Sequence, residues 1–202
     1  TMLVVMEDHG RYRLLGSTLD DAAGEAFDKV ARYLGLGYPG GPAVDHLALD
    51  GDRSAYSYPR ALVQENPATL SGDRRYAFSF SGLKTAVVNH LRSDPDASTV
   101  DVVASFQEAV VDALVTKARW AIEETGVRAA CLGGGVAANS RLRERFTEIC
   151  EGAGARAFLP PPSMCTDNAA MVAAAGWWQF RREGPSPLDT GADPNLGLNL
   201  IG

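Results

Sequence analysis

The sequence predicts an α/β protein, and three observations carry that expectation. Residues 128–132 are short and mostly apolar. They run into Gly133, Gly134 and Gly135, and then into a segment with Leu142, Phe146, Ile149 and Cys150 at helical spacing. From about Val127 onward, strand-like and helix-like segments alternate, as they do when helices pack on a sheet. Near the start, residues 2–6 are apolar on both faces, the pattern of a central strand covered on both sides. A central strand in that position predicts that the chain is the later part of a larger protein.

Each element has its own signal. Residues 7–10 read as a turn and 11–15 as a second strand, so the chain opens on a hairpin. Ser17 or Thr18 caps a helix with Leu19, Ala23, Ala26, Phe27, Val30 and Leu34 on its apolar face, and Gly35 stops it. Asp20 and Asp21 fall in its first turn, where the helix dipole favours carboxylates. Residues 37–42 form a rigid glycine-rich loop, followed by a short helix over about 43–49. Residues 51–72 lack periodicity and read as a long loop or insertion. Residues 78–85 alternate aromatic and small polar types, then enter a helix with Leu83, Val87 and Leu91 in line.

Ser98 caps a long helix that runs to about Glu124 and ends at Gly126. Its wide apolar stripe, from Val102 to Ile122, includes Lys117. After the glycine turn and its helix come a strand over 155–159, an extended Pro160-Pro161-Pro162 and a last helix over about 168–182. The tail from Gly184 reads as irregular. The chain thus divides into 1–49, the hairpin and first helices of an α/β layer; 50–124, a mostly helical insertion; and 125–202, the rest of the layer with the glycine turn and tail.

Composition bounds the function. The 202 residues can bury a substantial core. Twenty-five acidic and 19 basic side chains give a net charge of −6. A free-standing nucleic-acid binder is usually basic, so RNA would be met through a local patch or with partners. Cys131, Cys150 and Cys165 have no CxxC spacing and fit a reducing, cytoplasmic compartment better than a disulfide framework. No apolar run is long enough for a membrane span.

Several residues could carry chemistry, each beside a plainer role. The strand, glycine turn and helix start around Gly133 and Gly134 would cradle an anion or nucleotide, or be only a tight turn. Asp28 points into a ligand site or pairs with Arg32. Gly41, in Pro-Gly-Gly-Pro, lets a ligand approach the backbone, and Asp45 would grip a ribose diol; otherwise this is an exposed loop. Asp167 is a metal ligand or the N-cap of the last helix. His9, His46 and His90 show no zinc spacing, and no G-x-S-x-G elbow is present. Arg141, Arg143, Arg145, Arg181 and Arg182 touch RNA phosphates or are solvated helix faces.

Five stretches, GSTLDDAAGEAFDKVARYLGLGYPGGP, FSFSGLKT, SFQEAVVDALVTK, GGGVAANSRLR and MCTDNAAM, together resemble the TsaD family in order over essentially the whole chain. These are tRNA threonylcarbamoyladenosine transferases, formerly classed as glycoproteases. The resemblance implies an actin-like ATPase fold, related to sugar kinases and Hsp70, whose N-terminal lobe is missing here. It implies transfer of threonylcarbamoyl from threonylcarbamoyl-adenylate to the exocyclic amine of the adenine 3′ of the anticodon. Asp28, Gly41 and Asn139 would bind the adenylate, or ATP or ADP, and Asp45 would match a ribose-holding acid found in some members. Asp167 would ligate iron or zinc with two histidines from the absent lobe. The implied partners are tRNA and TsaB-like and TsaE-like subunits. With half of each site, the chain alone is expected to be inactive. The alternatives are a non-catalytic nucleotide- or partner-binding scaffold and an O-carbamoyltransferase with a small-molecule acceptor.

Overall fold

The structure, a computed structural model, describes residues 1–63, 74–191, 193 and 198. It opens with the expected hairpin, β1 (Met2–Asp8) paired antiparallel to β2 (Arg11–Ser17) around a turn at Gly10. The expectation of a strand covered on both sides is not met. Met2 and Met6 are 59% and 51% exposed. Among the described residues β1 pairs only with β2, and a two-stranded ribbon cannot bury its own strands.

The first helix starts later than its cap signals suggest. α1 is Ala23–Tyr33, because Thr18 still belongs to the sheet edge and bridges to Phe78. Leu19 lies outside the helix and is exposed. Asp20 therefore does not sit in the first turn of α1. It reaches across to α3 (Ser81–Ser93) and caps that helix instead. One carboxylate oxygen accepts from the Phe80 and Ser81 amides at 2.8 and 3.3 Å, and the other from the Ser79 and Ser81 hydroxyls at 2.5 and 2.9 Å. Asp21 pairs with Lys29 at 2.6 Å.

α2 (Gly40–Leu47) also begins earlier than expected and absorbs the Gly-Gly-Pro into its first turn. Proline is tolerated there because its missing N–H would be unpaired anyway. Gly40 is required by packing: a Cβ at that position would lie 2.6 Å from the Ala31 Cβ and 2.8 Å from the Asp28 Cα on α1. The expected loop over 51–72 is irregular as far as Val63, and its remainder lies outside the described residues.

The long helix is α4 (Thr99–Thr125), with Ser98 as its N-cap and Gly126 in the left-handed conformation at its end, as expected. Lys117 does lie in the buried stripe. Its ammonium donates to the Arg75 carbonyl at 2.7 Å and sits 5.2 Å from the Trp120 ring centre, so the charge is not stranded. Beyond α4, β3 (Ala129–Cys131) pairs in parallel with β4 (Arg156–Phe158) through α5 (Ser140–Gly152), a β-α-β unit. Pro162 is not extended but starts a 3₁₀ turn, Pro162–Met164. α6 (Ala169–Glu183) follows, and 184–191 is irregular.

The architecture is α/β, with two small sheets and a dominant helical core. That core joins Phe27 and Val30 of α1, Val44 of α2, Leu83 and Val87 of α3, and Val102, Val103, Phe106 and Val110 of α4. A second cluster of Ile122, Phe146, Cys150 and Ala155 lies under the β3–β4 pair. No helix among the described residues is long and apolar enough to cross a membrane.

The Asp20 cap gives a pH-dependent prediction. Burial alone would raise the Asp20 carboxyl, but the bonds from Ser79, Phe80 and Ser81 outweigh it and hold it below its ordinary value of 3.8. A depressed carboxylate contributes stability above its unfolded value and loses it as pH falls through the folded value. Asp20→Ala should cost about 1 kcal/mol at pH 7, the worth of an exposed cap. Urea melts should show that gap closing as pH falls below about 4. A gap independent of pH would refute this role.

Candidate functional site

Several candidate residues are linked by hydrogen bonds around α2. Asp28, on α1, does not pair with Arg32. Its Oδ1 accepts from the Gly40 amide at 2.8 Å, so it holds the first turn of α2. Gly41 is next in the chain, and a Cβ placed on it would meet nothing within 4 Å. Asp45 lies four residues further along α2 and joins α5. Its oxygens accept from the Ser140 amide at 3.0 Å, the Ser140 hydroxyl at 2.8 Å and the Asn139 Nδ2 at 3.0 Å.

Asn139 is the N-cap of α5, its Oδ1 accepting from the Leu142 amide at 2.9 Å. Its Nδ2 donates to Asp45 and also to Gln107 Oε1 at 2.8 Å. Asn139 and Gln107 are both buried. The structure thus brings Asp45 and Asn139 together directly, and Asp28 and Gly41 together through the start of α2.

Gly133 and Gly134 lie apart from these bonds, in the wall of a mostly apolar cavity of ≈ 320 Å³. Ala22, Ala23 and Gly24, at the start of α1, also line it. Gly134 has φ +83°, which a side chain would strain. A Cβ at Gly133 or Gly135 would meet nothing within 4 Å. A 3₁₀ turn, Gly135–Ala138, then leads to Asn139 and α5, so the strand, glycine turn and helix follow in the expected order.

Asp167 is not the N-cap of α6. That place belongs to Asn168, one residue on, whose Oδ1 accepts from the Met171 amide at 3.0 Å. The Asp167 side chain is exposed and makes no hydrogen bond or ion pair among the described residues. Nor do those residues contain a group of three or more His, Cys, Asp or Glu able to hold a metal.

Of the arginines expected to be solvated or to touch RNA, Arg181 and Arg182 are exposed on α6, whereas Arg141, Arg143 and Arg145 are engaged in the fold. Arg141 grips Glu108 through two bonds of 2.7 and 2.8 Å, and Arg145 bridges Glu108 and Asp112. Burial would raise the Glu108 carboxyl, but these guanidiniums hold it below the usual range. Arg143 donates to the Ala137 and Pro160 carbonyls, tying the segment before Asp167 to the 3₁₀ turn. Of the histidines, His90 bonds the Tyr58 hydroxyl at 2.6 Å, and burial pushes that phenol up to about 12.

Sequence reasoning missed Gln107 as a part of the site. Its signal was present: a polar residue in register with Val103 and Val110 on the apolar stripe of α4. Such a residue needs a polar partner once buried, and Asn139 is that partner. Asn139→Ala should cost about 2 kcal/mol, combining a lost cap with an orphaned Gln107 acceptor. Combining it with Asp45→Ala should cost less than the two singles added, because they share a bond. Additive urea melts would separate the two residues.

Comparison with known proteins bears on this geometry. The family model described as TsaD, tRNA N6-adenosine threonylcarbamoyltransferase, matches residues 1–174. A curated relative from Symbiobacterium thermophilum, named tRNA N6-adenosine threonylcarbamoyltransferase, is 52% identical over 205 residues. The match covers 100% of this chain and 58% of that protein. A relative of the same name from Thermotoga neapolitana is 50% identical over 198 residues, covering 98% of this chain and 58% of its own. The chain therefore spans less than two thirds of the length of these relatives. With the family model covering most of its residues, the chain belongs to the TsaD family.

Proposed function

We propose that the chain is part of a transferase that moves threonylcarbamoyl from its adenylate to the exocyclic amine of the adenine 3′ of a tRNA anticodon. The family match over residues 1–174 carries this reading. In the reaction the adenine nitrogen forms a bond to the carbamoyl carbon. The carbamoyl–phosphate anhydride bond breaks, and AMP leaves with the bonding pair as the amine gives up a proton.

Within the chain, the proposed role is to hold the adenylate. Gly41 and Gly133 need no left-handed backbone, and a Cβ on either would meet nothing within 4 Å, so the packing of this chain does not explain why they are glycines. Close approach of a ligand does. Asp28 fixes the start of α2, whose free N–H groups favour a phosphate. Asp45 and Asn139 reach the ligand from an orientation already set by Ser140 and Gln107. Their oxygens keep lone pairs beyond the bonds they accept here.

The implied iron or zinc does not fit the described residues alone. One carboxylate, Asp167, cannot close a coordination sphere. The remaining ligands would come from outside this chain. The same reading includes the actin-like two-lobed fold, the division at 50 and 125, tRNA and TsaB-like and TsaE-like partners, and a cytoplasmic setting. It also holds that the chain alone does not turn over.

Calorimetry with ADP tests the nucleotide site. Asp28→Ala should weaken binding by at least about tenfold, the worth of one charge-assisted bond. Unchanged affinity would limit Asp28 to holding Gly40. A second test concerns Asp167. Because its side chain is exposed and unbonded, Asp167→Ala should leave the melting temperature of this chain unchanged. In a protein of full family length the same change should abolish transfer. Retained transfer would remove Asp167 from the site.

A further inference from the structure

One donor on the buried stripe of α4 has no partner among the described residues. Gln107 is 2% exposed. Its amide carries one acceptor oxygen and two N–H donors. The oxygen, Oε1, is spent on Asn139 Nδ2 at 2.8 Å, whereas Nε2 donates to nothing among the described residues. The neighbours fix which end of the amide is which. The Leu142 amide donates to Asn139 Oδ1, and the Asp45 carboxylate can only accept, so the atom of Asn139 facing Asp45 must be its nitrogen. That nitrogen needs a second acceptor, and Gln107 presents Oε1 to it. Turning the Gln107 amide over would set donor against donor. The bonds running from Asp45 through Asn139 therefore end on the unpaired N–H groups of Gln107. That end is not sealed in the core. Among the described residues, Asp21 Oδ2 is the one buried side-chain nitrogen or oxygen both closed off from solvent and without a partner. The small exposed part of Gln107 thus includes its nitrogen. Donors held this deep and left unpaired cost free energy unless an incoming group accepts from them.

We infer that Gln107 is a binding residue of the proposed adenylate site, its Nε2 donating to a ring nitrogen of the adenine; this rests on the reading of that site given above. Two features select a base nitrogen. Gln107 and Asp45 bond the same Asn139 nitrogen, so a carboxylate stands close to the free donors. Its charge disfavours a phosphate at this point. The second feature is the balance of donors and acceptors. Asp45 and Asn139 Oδ1 offer only lone pairs to a ligand, because both Nδ2 protons of Asn139 are already spent. Lone pairs suit the hydroxyl groups of a ribose diol. They cannot hold an aromatic ring nitrogen, which is itself an acceptor. Gln107 supplies the donor that this nitrogen requires, and amide side chains read adenine in the same way elsewhere. In this account Gln107 acts twice, orienting Asn139 through its oxygen and holding the base through its nitrogen.

The probes are ADP and its 1-deaza, 3-deaza and 7-deaza analogues, each with one ring nitrogen replaced by C–H. Calorimetry should find that one of the three binds the chain at least about fivefold more weakly than ADP, while the other two bind like ADP. Gln107→Glu keeps an acceptor for Asn139 but has no N–H. It should weaken ADP by a similar factor and no longer distinguish ADP from the weak analogue. The unaltered chain gives a second readout that does not depend on how well the variant folds. The side-chain ¹⁵NH₂ signals of Gln107, assigned through its backbone, should show one proton moving downfield on saturation with ADP and not with the weak analogue. Equal binding of ADP and all three analogues would overturn the inference and give these donors to water. So would a Gln107 side-chain signal that stays in place while ADP saturates the chain. Both results would leave the adenylate site standing. ADP that does not bind at all would remove the site and the role of Gln107 together.

Discussion

One turn of α4 fixes where the other elements sit. Ser105 takes the Tyr56 amide and gives its own proton to the Asp52 carbonyl, holding the irregular segment after α2. Phe106 meets Phe27 of α1 edge to face, with ring centres 5.4 Å apart. Gln107 holds Asn139 at the start of α5, and Glu108 holds Arg141 and Arg145 further along that helix. Four consecutive residues thus hold three neighbouring segments, and all but Glu108 are fully or almost fully buried. The apolar contact supplies most of the driving force, while the buried polar bonds restrict which packing satisfies every group.

Three of the candidate side chains bind helix starts rather than the solvent. Asp28, Asp45 and Asn139 are each hydrogen-bonded to a backbone amide at the first turn of α2 or α5. These bonds satisfy donors that the first turns of α2 and α5 would otherwise leave unpaired. The structural role and the proposed ligand-binding role are therefore not rivals for these side chains. A residue that caps a helix is immobile, and immobility lowers the entropic cost of binding. Gly40 and Gly41 divide the two demands between neighbours: Gly40 is pressed against α1, whereas Gly41 faces open space.

Local signals were legible where the chain itself supplies the partner. The Ser98 cap, the Gly126 stop, the glycine turn before α5 and the opening hairpin follow from side chains within a few residues of their targets. Partners distant in sequence were not legible. Asp20 looks like a first-turn acid of α1 but bonds residues about 60 positions away. Ser17 and Thr18 look like caps, yet Thr18 is claimed by Phe78. Asp167 and Asn168 are both good caps, and only the backbone path selects Asn168. The family motifs single out the candidate residues, but the buried partnership of Gln107 and Asn139 appears only once α4 and α5 are packed. The apolar pattern of residues 2–6 correctly indicates a strand, while its covering is not supplied by the described residues.

In the proposed function, separated residues of α1, α2, the glycine turn and the start of α5 form one side of an adenylate site. Nuclear magnetic resonance is the most direct measurement, because it detects weak binding and reports where it occurs. Titrating ADP into the ¹⁵N-labelled chain should move the amides of Asp28, Gly41, Asp45, Gly133, Gly134 and Asn139 together along one saturating curve. Shifts confined to another region, such as the ≈ 670 Å³ cleft lined by Arg53, Arg60 and Arg141, would contradict the account. So would a spectrum that does not respond to ADP at all.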